Sequence, residues 1–307
     1  ENDSLSNLFN YIFEPIINNY YIRGDVGMKI KKMELFTVPP RWLFLKITTE
    51  SGIVGWGEPI VEGRARSVKA AVLEMEDYII GRSANDIEDI WQVLYRGGFY
   101  RGGPVLTSAI SGIEQALWDI KGKYHNMPIY DMLGGPVRNK MRVYGWIGGD
   151  RPSDILDQAK ERYSQGYTAI KMNGTAELGW VDSHKHVDDV LERVDIIKSE
   201  FGNDLDVAID FHGRVHKPMA KVLLKELDKY NLMFIEEPVL TENEEVFQEL
   251  KYYTSIPIAT GERNYTRWGF KNLITKGYVD IIQPDLSHAG GILETKKIAA
   301  MAEAFDI

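Results

Sequence analysis

Three acidic residues recur at one spacing and in one kind of place. Asp210, Glu236 and Glu262 each follow a short apolar run, in Ile209-Asp210-Phe211-His212, Ile235-Glu236-Glu237-Pro238 and Thr260-Gly261-Glu262-Arg263, and they stand 26 and 26 residues apart. A single acid in such a place is an ordinary helix cap or a solvated charge. Three at one period can converge, and converging carboxylates repel unless a cation sits among them. An all-oxygen set with open positions suits Mg2+, which takes a few carboxylates and completes its shell with water or substrate oxygens. Asp285, in Gln283-Pro284-Asp285, comes 23 residues later. It fits the same period either as a fourth ligand or as a group behind the ligands.

Other residues gather around this set. His212 lies two positions past Asp210, so on a continuing strand both side chains share a face. A histidine that close to a ligand is an acid/base candidate. Lys171, in Lys171-Met172-Asn173, ends an earlier apolar run and either reaches into the same mouth or stays on its rim. Glu237 is expected to point away from Glu236 and to end in an outward salt bridge. His184, His186 and His216 fall in helical or loop contexts and carry no catalytic expectation.

These side chains need a frame that brings strand ends together. After about residue 140, short β-type runs (142–147, 169–172, 207–211, 233–235, 257–259, 280–282) alternate with helical stretches near 153–165, 184–201, 217–230, 243–253, 266–276 and 291–304. Strand–helix alternation with right-handed crossovers makes a parallel sheet, open or closed. Six units with polar or acidic strand ends favour a TIM-type barrel, whose reactive groups cluster at the carboxyl ends of the strands. Residues 28–60 read instead as antiparallel strands, with Leu43, Leu45 and Ile47 alternating against polar neighbours and a turn at Ser51-Gly52. From about 65 to 133 the periodicity is helical, through Val68, Val72, Met75, Tyr78 and Ile79, then Ile110, Ile113, Leu117 and Ile120. Between these lies the glycine-rich loop Arg96–Pro104, which lacks the context of a phosphate or dinucleotide loop. Leu133-Gly134-Gly135-Pro136 marks a boundary, giving an α+β capping domain over 28–138 and the barrel over 139–307.

Composition narrows the function classes. The 307 residues include 36 Lys+Arg against 45 Asp+Glu, a formal charge of −9 with no basic block, so nucleic acid is not an expected partner. Cysteine is absent, which excludes disulfides, thiolate metal sites and cysteine nucleophiles. No run of 18 apolar residues offers a membrane span, and no membrane partner is expected.

The carboxylate series behind an α+β module resembles the enolase superfamily in its mandelate-racemase-like branch. The likeness runs from Met28 to Ile307 and is strongest at Pro39–Lys46, Gly55–Pro59, Glu62–Arg66, Gly98–Pro104, Gly148–Pro152, Asp210–Val215 and Gln283–Gly291. Within that branch it resembles the sugar-acid dehydratases, those acting on D-galactonate ahead of those acting on gluconate, arabinonate or mannonate. The resemblance implies a (β/α)7β barrel, one Mg2+ per subunit on Asp210, Glu236 and Glu262, and His212 as general acid. It also implies Asp285 as the partner that orients a histidine base, a cytoplasmic enzyme and a homo-oligomer. The reaction implied is loss of the C2 proton to an ene-diolate, then loss of the 3-hydroxyl to give a 2-keto-3-deoxy acid. The Lys-x-Asn at 171–173 departs from the Lys-x-Lys of the racemases and cycloisomerases, which argues against a two-base racemase using lysine.

Two expectations concern the ends of the chain. The histidine base should fall one βα unit past Asp285, at position ~310, and closing the barrel needs on the order of 50 residues beyond 307. The chain as it stands is therefore expected to be poorly active, or a non-catalytic piece that binds Mg2+ and sugar acid weakly. Residues 1–27 differ in composition, with a short helical rhythm through Leu5, Leu8, Phe9, Ile12 and Phe13. They are expected to be an extension that the fold does not need.

Overall fold

The structure is a computed structural model that describes residues 26–150, 152–179 and 182–307. The helix expected in the N-terminal extension lies outside the described residues.

The capping domain opens with a three-stranded antiparallel sheet in the order β1 (Ile30–Val38), β2 (Trp42–Thr49), β3 (Val54–Gly57). Its inner face follows the period of two: Leu43, Leu45, Ile47 and Thr49 are buried while Phe44, Lys46 and Thr48 between them are only partly so. Four helices follow: α1 (Ala65–Ile79), α2 (Ile87–Arg96), α3 (Pro104–His125) and the single turn α4 (Ile129–Met132). The sequence pattern singles out α1 and α3; α2 is the addition. Helix α3 lies directly on β3. A Cβ on Gly55 would collide with the Ala116 carbonyl and one on Gly57 with the Gly112 carbonyl, so both glycines permit this approach.

The second domain is a barrel-like α/β unit of six parallel strands hydrogen-bonded in chain order. The elements are β4 (Gly145–Ile147), α5 (Ile155–Ser164), β5 (Ala169–Asn173), α6 (Lys185–Phe201), β6 (Asp206–Asp210) and α7 (Lys217–Leu227). They continue as β7 (Phe234–Glu236), α8 (Glu244–Leu250), β8 (Ile258–Thr260), α9 (Thr266–Thr275), β9 (Ile281–Ile282) and α10 (Ile292–Glu303). Strands β5 to β8 are buried on both faces, as parallel sheets are, while β4 exposes Trp146 and β9 is half-buried. Val207, Ile209, Ile235 and Ile258 pack toward the helices, whereas Ala208, Phe234 and Ala259 form a separate inner cluster.

Register then places the site. Asn173 lies opposite Asp210, and Asp210 opposite Glu236, at the strands' carboxyl ends. By the period of two, Asp210 shares the inner face with Ala208, and Glu236 shares it with Phe234. Lys171 pairs with Ala208, one layer deeper, so its long stem rises beneath the carboxylates.

Candidate active site

Asp210, Glu236, Lys171 and His212 form one hydrogen-bonded group. The Lys171 Nζ donates to Asp210 Oδ2 at 3.0 Å and to Glu236 Oε2 at 2.7 Å. Its side chain is only 14% exposed, so it is not a rim lysine. It also sits 5.6 Å from the centre of the Tyr144 ring. His212 Nε2 lies 3.1 Å from Asp210 Oδ2, and its backbone N–H donates to Asp210 Oδ1 at 2.8 Å. Strand β6 has ended by then. His212 has φ +47°, and Gly213 continues the left-handed turn at +63°. The expectation that the two side chains meet is met, but by a tight turn that folds the imidazole back onto the carboxylate and not by strand alternation.

The charges around this group shift in opposite directions. Burial works to raise Asp210, but the hydrogen bond from His212 and the Lys171 charge prevail and hold its carboxyl below the ordinary range. Glu236 and Glu262 move up, first through burial and then through the charge of Asp210, with Glu236 adding to Glu262. His212 is raised chiefly by its hydrogen bond to Asp210, which favours the imidazolium. Burial disfavours the Lys171 ammonium, yet the charges of Asp210 and Glu236 outweigh it and raise the group. The charges of Asp210 and Glu236 reach Glu262, so the three acids lie within electrostatic range of one another.

Two residues that sequence reasoning passed over complete the floor. Gln283 donates to Glu236 Oε2 at 3.0 Å, and the Asn173 amide donates to the Asp150 carbonyl at 3.3 Å. The oxygens of both side chains, Gln283 Oε1 and Asn173 Oδ1, are buried with no donor in reach. Gln283 was legible: it begins the Gln-Pro-Asp that follows β9, two residues before Asp285.

Glu237 corrects its expectation. It does turn away from Glu236, but inward: it is fully buried, bonded to Arg263 Nη2 at 2.5 Å and facing the Thr260 hydroxyl at 3.4 Å. A positive φ of +41° at Glu237 swings it off the strand's alternation. Asp285 stands apart from the carboxylate group. Its Oδ1 accepts the Ser287 N–H at 2.7 Å, and its Oδ2 faces His288 Nε2 at 3.7 Å, beyond a hydrogen bond. Glu58 of the capping domain is close enough to be raised by burial and then by the charges of Asp285 and Glu62. Of the histidines expected to be uninvolved, His186 pairs with Asp182 at 2.8 Å.

The donor set fits a divalent cation. Two carboxylates already share a cation in the Lys171 ammonium, a third repels them, and two acceptor oxygens beside them lack donors. As the side chains stand, no group of three His, Asp or Glu among the described residues is arranged to hold a metal, and Asp210 and Glu236 are both paired with Lys171.

Two family models cover most of the described chain: the mandelate racemase / muconate lactonizing enzyme N-terminal domain over residues 31–134, and the enolase C-terminal domain-like family over 154–307. The chain belongs to the enolase superfamily. A D-galactonate dehydratase from Ralstonia pickettii (strain 12J) is 55% identical over 280 residues, spanning 91% of this chain and 73% of that protein. A crystal structure of an enolase-superfamily member from Salmonella Typhimurium superposes with a TM-score of 0.85 at 30% identity, covering 91% of this chain and 79% of the other. The 3,6-anhydro-D-galactonate cycloisomerase from Zobellia galactanivorans gives 0.82 at 33% identity, over 91% and 78%. Among the described residues no helix is long and apolar enough to cross a membrane.

Proposed function

We propose that this enolase-superfamily chain is a sugar-acid dehydratase that converts D-galactonate to 2-dehydro-3-deoxy-D-galactonate and water, with Mg2+ held by Asp210, Glu236 and Glu262. The observation that carries the reading is His212, an imidazole 3.1 Å from Asp210 and held toward its charged form, at the edge of a three-carboxylate group. A proton donor in that place suits protonation of a departing hydroxyl. The relative from Ralstonia pickettii supports D-galactonate as the substrate.

A Mg2+ ion bound there offsets the charge of the substrate carboxylate and lowers the cost of losing the weakly acidic C2 proton. Lys171, held beside Asp210 and Glu236, would place a fixed positive charge near the substrate carboxylate. The family resemblance implies that the C2 proton would pass to a histidine base oriented by Asp285. His212 gives its Nε2 proton to the 3-hydroxyl, which departs as water as the C2–C3 double bond forms. The resulting enol then takes up a proton at C3 and becomes the 2-keto acid. The hydrogen bond to Asp210, and then its charge, favour the protonated form of His212.

The test is formation of 2-keto-3-deoxy acid from a panel of aldonic acids (galactonate, gluconate, arabinonate, mannonate) with Mg2+ and after chelation. Turnover of galactonate above the others, lost on chelation, is expected. Turnover of none of them overturns the reading, and a preference for another aldonic acid overturns the substrate assignment.

A further inference from the structure

The loop that follows β9 carries Asp285 and His288, yet few of its fixing contacts come from the barrel. Six hydrogen bonds tie it to the capping domain. Ser108 Oγ meets His288 Nδ1 at 2.9 Å, and Gln115 Nε2 donates to Ser287 Oγ at 3.2 Å. The Gly290 N–H donates to Ser111 Oγ at 2.9 Å, and Trp91 Nε1 donates to the Gly290 carbonyl at 2.8 Å. The Ile292 and Leu293 N–H groups donate to the two oxygens of Glu114 at 2.7 and 2.8 Å.

Ser108, Ser111 and Gln115 repeat at three and four residues, so they form one stripe of α3, with Glu114 beside it. Gly290 and Gly291, with φ +119° and +98°, let the loop lie against that stripe. A Cβ on Gly291 would collide with the Glu114 carboxylate. The far side of α3 is seated on β3 through Gly55 and Gly57. A continuous rigid path thus runs from the capping sheet through α3 to the loop. Glu114 is buried, and Trp118 Nε1 holds its Oε1 at 2.7 Å, so the carboxylate cannot turn away.

We propose that Glu114 and Ser108 are positioning residues for the reaction: they fix the Asp285–His288 wall of the site from the other domain. Glu114 sets the loop's backbone through the first N–H groups of α10, and Ser108 sets the His288 ring. Neither touches substrate. The kinetic part of this proposal rests on the dehydratase reading; the structural part does not.

Amide hydrogen exchange and steady-state kinetics on Glu114→Gln and Ser108→Ala test it. A glutamine offers one oxygen where the carboxylate offers two, so one loop N–H loses its acceptor. Exchange in 285–295 should rise about tenfold, with strands β1–β3 and β5–β7 unchanged. The kcat for galactonate should fall by about tenfold or more with KM within about twofold, as expected when a reacting wall is displaced but binding is kept. Ser108→Ala removes only a hydroxyl and serves if Glu114→Gln fails to fold; it should lower kcat with the exchange pattern intact. In Glu114→Gln, unchanged exchange in the loop, an equal rise in every segment, or an unaltered kcat in a loosened loop overturns the proposal, as does an unaltered kcat in Ser108→Ala. If the wild type turns over no aldonic acid, the dehydratase reading fails and the exchange pattern alone decides the positioning claim.

Discussion

His212 and Lys171 are the residues whose substitution separates chemistry from scaffolding. Replacing His212 by Asn keeps a polar side chain of similar reach but removes the transferable proton. Formation of the 2-keto-3-deoxy acid should drop on the order of 10²- to 10⁴-fold, while exchange of the C2 proton in D2O, followed by NMR, should persist. Dehydration at the wild-type rate would show that another group protonates the leaving hydroxyl. Lys171→Met tests the opposite property. It leaves Asp210 and Glu236, both buried, without their shared ammonium. Breaking a buried pair in this way costs about 3–5 kcal/mol. Thermal unfolding in EDTA should reveal most of that loss, and added Mg2+ should raise the Tm of the variant more than that of the wild type. At this scale the sequence was informative about identity and less so about conformation. The nearness of Asp210 and His212 was legible, but the left-handed turn that produces it was not, since histidine and Glu237 rarely adopt positive φ and nothing local demands it.

Among the elements, strands and helices of the barrel followed from periodicity because β5 to β9 are mostly apolar runs closed by a polar residue. The contacts of α3 with the loop after β9 did not, since partners 179 residues apart share no local pattern. Those contacts carry a pH signature. Burial raises the Glu114 carboxyl from its ordinary 4.5 to about 7, against the N–H groups of Leu293 and Ile292 and the Trp118 indole, which favour its charge. The folded state therefore holds the Glu114 proton more tightly than the unfolded chain does. Its contribution is fully present below pH 4.5 and is lost as pH rises through about 7. Denaturant titrations of wild type and Glu114→Gln should differ in unfolding free energy by an amount that falls about 3 kcal/mol across that window. A pH-independent difference would mean that Glu114 stays ionised throughout. The Glu237–Arg263 pair gives a second prediction at this scale. Arg263→Ala strands a fully buried carboxylate, so it should destabilise the barrel by about 3–5 kcal/mol in the same titration at neutral pH. A loss below 1 kcal/mol would mean that Glu237 is protonated in the fold.

Among the described residues one large hydrophobic core lies under the capping sheet and another between the barrel strands and their helices, besides the small inner cluster. Whether they unfold together depends on the junction. Besides the loop contacts, α2 and α9 meet there: the rings of Tyr95 and Trp268 stack at 5.2 Å, and those of Trp91 and Trp268 at 6.3 Å. The Arg267 guanidinium of α9 lies 5.6 Å from the Trp91 ring of α2, and Lys297 of α10 reaches Glu88 of α2 at 2.6 Å. Each stacked pair contributes about 1 kcal/mol beyond its buried area, and the guanidinium contact about 0.5–1 kcal/mol more. Removing the Trp268 ring therefore takes roughly 2 kcal/mol from the coupling between domains while leaving both cores intact. Wild-type protein should unfold in one transition whether followed by far-UV circular dichroism or by proteolysis of the barrel. In Trp268→Ala the two probes should separate, the smaller capping domain melting first. Coincident curves in the variant would place the coupling in the α3 contacts alone, where Glu114→Gln would then have to produce the separation.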